Sequence, residues 1–123
     1  MTVVTRNPII DQWFRDELGE KSSMFLSVEQ LSGLTLACTQ AEPPQIPDPV
    51  LAAWRRELVR HRRVVNQSEV AYVERALAQG YSWQRIAEEL GQPSSEAAQR
   101  HHQFLEEELE RTHPSNNEKP YLP

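Results

Sequence analysis

The sequence predicts an all-α chain, a helical bundle of about six helices. Three observations predict it. Ala, Leu, Glu, Gln and Arg are frequent, and these residues lose little conformational freedom on entering a helix. Apolar residues recur three and four positions apart, and few segments alternate apolar with polar. Only four glycines are present, and two of them, Gly80 and Gly91, stand where a helical pattern stops.

Composition sets the bounds. A chain of 123 residues with 38% hydrophobic and 25% charged residues can build one compact core. Cys38 is the only cysteine, which excludes an intramolecular disulfide and a cysteine metal cage. It reads as a small hydrophobe in a helix. The sequence has no long apolar run of the signal-peptide or membrane-spanning kind. The expectation is a cytoplasmic protein with no membrane partner.

Taken in order, residues 1–6 read as an arm. Asn7-Pro8 is an N-cap followed by a first-turn proline, opening a helix to about Leu18. Ile10, Trp13, Phe14 and Leu18 share one face, and Gly19 stops the pattern. Ser27 and Gln30 form a capping box that opens a helix to about Thr39, with Leu31 and Leu34 on its stripe. The three prolines of Glu42–Pro47 forbid helix and make a stiff connector. Residues 1–47 are therefore expected to be an N-terminal helical pair plus connector.

Asp48-Pro49 repeats the cap-and-proline signal and starts a helix to about Val65, with Leu51, Trp54, Leu58 and His61 expected inward. Arg56, Arg60 and Arg63 fall on the opposite face, flanked by Arg55 and Arg62. Asn66-Gln67-Ser68 is expected to break this helix and cap another, from about Glu69 to Gln79. Ser82 caps a short helix, Trp83–Leu90, with Trp83, Ile86, Ala87 and Leu90 inward. Gly91 supplies a left-handed turn residue, and Pro93 and Ser94 start a last helix to about Arg111. On that helix Ala98, His101, Leu105 and Leu109 are expected inward, with Ala97 and Phe104 beside them. Residues 112–123, rich in proline and polar residues, are expected to be a disordered tail.

Two helices joined by a short glycine turn, packed through a small residue and followed by a polar face, meet the needs of a tri-helical helix-turn-helix. Ala87, Gly91 and the helix from Ser94 fill these roles. The outward face of the last helix carries Ser95, Glu96, Gln99, Arg100 and Gln103, the candidate base contacts. Arginine can hold guanine through O6 and N7, glutamine can hold adenine through N6 and N7, and glutamate can accept from cytosine N4. Arg55, Arg56, Arg60 and Arg63, with Ser82, Gln84 and Arg85, are the candidate phosphate contacts.

Gly80-Tyr81-Ser82-Trp83, Ile86-Ala87, Leu90-Gly91 and Ala97 through Gln99-Arg100 together resemble the helix-turn-helix of small actinobacterial regulators. The stretch is also similar to the region-four fold of sigma factors. The resemblance covers about residues 66–105, and it implies duplex DNA binding with the second helix in the major groove. Two departures stand out. Gln92 occupies a position that is usually apolar, and Ser94-Ser95-Glu96 replaces the basic start common in such recognition helices.

Charge pulls the other way. The net charge is −5, whereas DNA-binding modules are usually basic. Residues 1–54 carry −4, residues 55–63 carry +4 and residues 64–123 carry −5. The arginine stripe thus has two uses open to it: phosphate contact, or a solvated face pairing with the acidic last helix. No phosphate loop, nucleophile elbow or converging carboxylate pair is present, so no enzyme, cofactor or metal is expected. His101 and His102 are neighbours and point about 100° apart on a helix, so they cannot jointly grip a metal. His101 reads as packed and His102 as surface.

The sequence therefore predicts a cytoplasmic DNA-binding regulator, with residues 48–111 as the helix-turn-helix domain. Duplex DNA is the expected partner. A homodimer through the N-terminal helices, or a protein partner, would supply further contacts. The alternative is an acidic helical adaptor that binds protein without reading DNA.

Overall fold

The computed structural model describes residues 28–123. The expected helix over 8–18, its Trp13–Phe14 pair and the Ser27 cap lie outside the described residues. The described residues are helical: α1 is Val28–Cys38, α2 Asp48–Ala78, α3 Trp83–Leu90 and α4 Ser95–Arg111, followed by a 3₁₀ turn at Lys119–Tyr121. No strand is present among them. The chain divides into two compact units, residues 1–50 and 51–123.

In the first unit, the end of α1 is closed on the Leu36 carbonyl. Thr39 Oγ1 and Gln40 Nε2 donate to the Leu36 carbonyl at 2.9 and 3.0 Å. Cys38, the last residue of α1, is exposed rather than packed. The proline connector follows without regular structure, as the missing donors require.

The expected break at Asn66-Gln67-Ser68 is absent. α2 runs unbroken for 31 residues, about 46 Å. None of the three is glycine or proline, so each costs only a few tenths of a kcal/mol relative to alanine, roughly. Once the flanking turns are helical, propagation outweighs that cost. Two expected helices are therefore one.

The inward face of α2 also differs from expectation. Leu51 and Leu58 are exposed, while Arg56 and Arg63 are half-buried. The reason lies at the far end of the helix, where Val73 and Ala76 are buried. Val73 belongs to a stripe of half-buried and buried positions spaced three and four apart, Arg56, Val59, Arg63, Asn66, Val70, Val73 and Leu77, and this stripe is the side of α2 that faces the rest of the unit.

α3 is punctuated at both ends by local chemistry. Gly80 closes α2 at φ +97°, with Tyr81 N–H donating to the Ala76 carbonyl at 2.9 Å and Gly80 N–H to Leu77 at 3.1 Å. Gly91 closes α3 in the same way at φ +73°, with Gln92 N–H on Ala87 at 2.7 Å and Gly91 N–H on Glu88 at 3.3 Å. Both are Schellman motifs, and their left-handed residue is glycine because a Cβ is disfavoured there. Ser82 Oγ accepts from Arg85 N–H at 3.1 Å and Ser94 Oγ from Ala97 N–H at 3.0 Å, capping α3 and α4.

The core forms where α2 and α3 meet. Val73, Ala76 and the fully enclosed Ile86 make its centre, with Leu77, Tyr81 and Trp83 packed around them. Ala87 is buried as well, and α3 packs on α4, whose Ala98 and Leu105 are buried. Small residues at 76, 87 and 98 permit close helix approach. The two histidines of α4 exchange their expected places. The His102 side chain is 12% exposed and lies 5.7 Å from the Trp83 ring, whereas that of His101 is 39% exposed and bonds Glu69. Phe104 is exposed and stacks on His101.

Residues 112–123, expected to be disordered, run back against α2. Arg55 donates to the Pro120 and Leu122 carbonyls at 2.6 and 3.1 Å, and Tyr121 OH donates to the Thr112 carbonyl at 2.7 Å. Tyr121 is half-buried. Its polar tip and apolar ring give this otherwise polar segment an anchor that composition does not reveal.

Candidate nucleic-acid interface

The candidate surface is the N-terminal half of α4. Ser94 caps the helix, and its first turn carries Glu96, an acidic residue suited to the positive end of the helix dipole. Glu96, Gln99, Arg100 and Gln103 are exposed, and Ser95 is half-buried. The face is continuous because positions 96, 99, 100 and 103 recur at helical spacing. Among the described residues, Gln99 and Arg100 make no side-chain hydrogen bond, so their donors are available to a ligand. Gln103 Nε2 donates to Glu107 at 3.3 Å.

The residues placed as phosphate contacts divide into two groups. Ser82, Gln84 and Arg85 lie together at the start of α3. Ser82 spends its oxygen on the cap, and Gln84 donates to Glu88 at 3.0 Å. Arg85 lies over the Tyr81 ring, 3.7 Å from its centroid, and donates to Glu89 at 3.1 Å. The Glu89 bond holds the guanidinium further above its already high ordinary pKa. Tyr72 OH bonds the same carboxylate at 3.2 Å, and desolvation first, then that bond, pushes its phenol up. Arg85 is thus held extended by a ring and a carboxylate while its side chain stays exposed.

The arginines of α2 do not form one open stripe. Arg55 is engaged by the C-terminal carbonyls. Arg63 Nη1 donates to the Leu109 carbonyl and to Thr112 Oγ1. Arg60 pairs with Glu57 at 2.7 Å on its own helix, and that guanidinium holds the Glu57 carboxyl below the usual range. Arg56 is half-buried. Two of the four α2 arginines expected on phosphate, Arg55 and Arg63, therefore hold their own chain together. Sequence reasoning missed this because the acceptors are main-chain carbonyls more than forty residues away, and carbonyls carry no sequence signal.

A second cluster joins α2 to α4. Glu74, His102 and Glu106 offer atoms that all lie within 4.8 Å of one another. His102 Nε2 meets Glu106 Oε1 at 3.0 Å, and its Nδ1 is buried without a partner. The proton therefore belongs on Nε2, facing the carboxylate. The i, i+4 spacing of His102 and Glu106 was readable, but Glu74 joins them only through packing.

No helix of the described residues is long and apolar enough to cross a membrane. No family model, curated protein or solved structure matches the chain.

Proposed function

We propose that this chain binds duplex DNA and reads sequence with α4, acting as a transcriptional regulator. The observation that carries the reading is the pair α3–α4. A four-residue turn opening on Gly91 joins them, and α4 leaves Gln99 and Arg100 exposed and unengaged at its N-terminal end. In this reading Ser95, Glu96, Gln99, Arg100 and Gln103 face base edges in the major groove. Ser82, Gln84 and Arg85, at the neighbouring helix start, meet phosphate, where backbone N–H groups favour an anion. Arg60 can turn from Glu57 to a phosphate at little cost, since the pair is exposed. Arg55 and Arg63 would have to give up bonds within the chain, so they add less than an open stripe would. Glu106, Glu107 and Glu110 lie at the far end of α4, away from the base-reading turns.

The test is fluorescence anisotropy on a random duplex pool at low and moderate salt, followed by selection of a preferred site. On that site Arg100→Ala is expected to cost about 1–3 kcal/mol and to relax preference at one base pair. Arg85→Ala is expected to weaken all duplexes alike and to flatten the logarithmic salt slope by about 0.9. Wild-type selectivity retained by Arg100→Ala would remove α4 from the reading role.

A second reading, an acidic helical adaptor for a protein partner, is favoured by the exposed apolar residues of α2 together with the net charge of −5. It predicts no binding to any duplex at low salt, which the same titration reads directly.

A further inference from the structure

Three ligand-bearing side chains from two helices converge beside the core. Glu74 of α2 and His102 and Glu106 of α4 offer atoms that all lie within 4.8 Å of one another. His102 and Glu106 stand at i, i+4, the spacing at which two side chains on one helix reach the same point. The adjacent pair His101–His102 lacks that spacing. Folding adds Glu74 from the other helix.

The imidazole is the fixed member of the cluster. Its side chain is 12% exposed and its ring lies 5.7 Å from that of Trp83. Packing therefore sets the direction of Nε2, which stands 3.0 Å from Glu106 Oε1. Nδ1 is buried without a partner, so the ring can meet a ligand only through Nε2. Both glutamates are exposed and can adjust by rotating at the surface. Glu106 takes the one N–H donor, while Glu74 makes no hydrogen bond or ion pair among the described residues. Two carboxylates are thus gathered at one imidazole, and no lysine or arginine among the described residues pairs with either.

We propose that Glu74, His102 and Glu106 form a divalent metal site of the zinc class that ties α2 to α4. Imidazole nitrogen with carboxylate oxygen suits zinc, whereas magnesium and calcium take all-oxygen sets. Zinc bonds of about 2.0–2.2 Å hold tetrahedral ligand atoms about 3.4 Å apart. The His102–Glu106 pair stands near that spacing, and the exposed Glu74 side chain closes the remaining edges. Water completes the coordination from the solvent side. A dication also removes the repulsion between the two carboxylates. On ligation Nε2 gives up its proton and the neutral ring carries one on Nδ1 instead, so the net proton count is unchanged. Nδ1 has no partner in either tautomer. The ring therefore lacks the outer acceptor that strengthens most histidine–metal bonds, a difference of about 10–100-fold in affinity, and the expected zinc Kd is on the order of micromolar. The site does not rest on the DNA reading, and its test contains no DNA.

Titration of the metal-stripped full chain with cobalt(II) is expected to give a visible d–d spectrum that saturates at a 1:1 ratio. Zinc is expected to displace the cobalt, and millimolar magnesium to leave it bound. Glu74→Gln and Glu106→Gln, both at exposed positions, are each expected to keep the far-ultraviolet spectrum and to weaken zinc at least about tenfold by calorimetry. Glu107→Gln, on the same helix outside the cluster, is expected to bind as wild type. Zinc is expected to raise the thermal midpoint of wild type and not of Glu74→Gln, because the ion joins the two helices only through Glu74. Long-range proton–nitrogen spectra are expected to show zinc moving the Nε2 signal of His102 and leaving His101 and His113 in place. No binding at millimolar zinc, a Glu74→Gln chain that binds as wild type, an equal loss in Glu107→Gln, or a zinc shift on another histidine instead of His102 would each overturn the proposal.

Discussion

Arg63 of α2 donates from Nη1 to the main-chain carbonyl of Leu109 at 2.8 Å, and the same nitrogen reaches Thr112 Oγ1 at 3.1 Å. The last turn of α4 leaves carbonyls without partners inside the helix, and the helix dipole makes that end negative. A guanidinium from another helix answers both. Thr112 Oγ1 donates in turn to the Glu108 carbonyl at 2.6 Å, so one small network ends α4 and ties it to α2. Arg63→Ala is expected to destabilise the unit by about 1.5–3 kcal/mol, the range for a charge-assisted hydrogen bond. Urea unfolding followed by circular dichroism measures it. Arg63→Met, which keeps the stem without the donor, separates packing from hydrogen bonding; stability equal to wild type in both variants would show the network to be idle.

Ile86 is the most enclosed large side chain of the core, at 0% exposure. Ile86→Ala removes its packing against Val73 and Ala76 and leaves a void. The expected loss is about 2–5 kcal/mol, a large part of the stability of a small unit. Ile86→Val is expected to cost about 0.5–1.5 kcal/mol and to remain folded. Denaturant midpoints of the two variants check the order.

Gly91 has φ +73° and no heavy atom within 4 Å of where a Cβ would sit. The cost of a side chain there is backbone strain alone. Gly91→Ala is expected to lower stability by about 1–2 kcal/mol, and Gly91→Asn by less, because asparagine tolerates the left-handed region. Equal thermal midpoints for the two variants would contradict this cause.

Glu108 accepts from Arg111 at 2.8 and 2.7 Å, and those bonds hold its carboxyl below the usual range. Glu57 is depressed in the same way by Arg60. A lowered native pKa means that the folded state favours the ionised form. Its stabilising contribution is therefore complete above the unfolded glutamate pKa of about 4.3, and is lost as pH falls through the lower native value. Thermal midpoints are expected to hold from neutral pH down to about that value and then to decline. In Arg111→Ala the carbon-13 titration midpoint of the Glu108 carboxyl is expected to rise. Both pairs lie at the surface with exposed arginine partners, so each contribution is small.

The helices around the candidate site were legible because their signals are local. Ser82, Gly91 and Ser94 settle their caps with partners no more than five residues away. The base-reading candidates on α4 follow from the same helical register. Asn66-Gln67-Ser68 misled for the opposite reason. Their weak local preference for a break is real, but it is outweighed by cooperativity on both sides. Arg55, Arg63 and Tyr121 were illegible as structural residues, since each is held by main-chain oxygens.

By itself, then, the sequence determined that the chain is helical and where α3 starts and stops. Only the tertiary structure decided which face of α2 is buried. Both faces are amphipathic enough to serve. One holds Leu51, Leu58 and Val65; the other holds Arg56, Val59, Arg63, Val70, Val73 and Leu77. Hydrophobicity summed along the helix does not choose between them. The choice is made where Val73 and Leu77 pack with Ile86, because a continuous helix carries the stripe they belong to back along its length. Arginines then lie over the tail and the end of α4, and a row of leucine, valine and tyrosine is left outside.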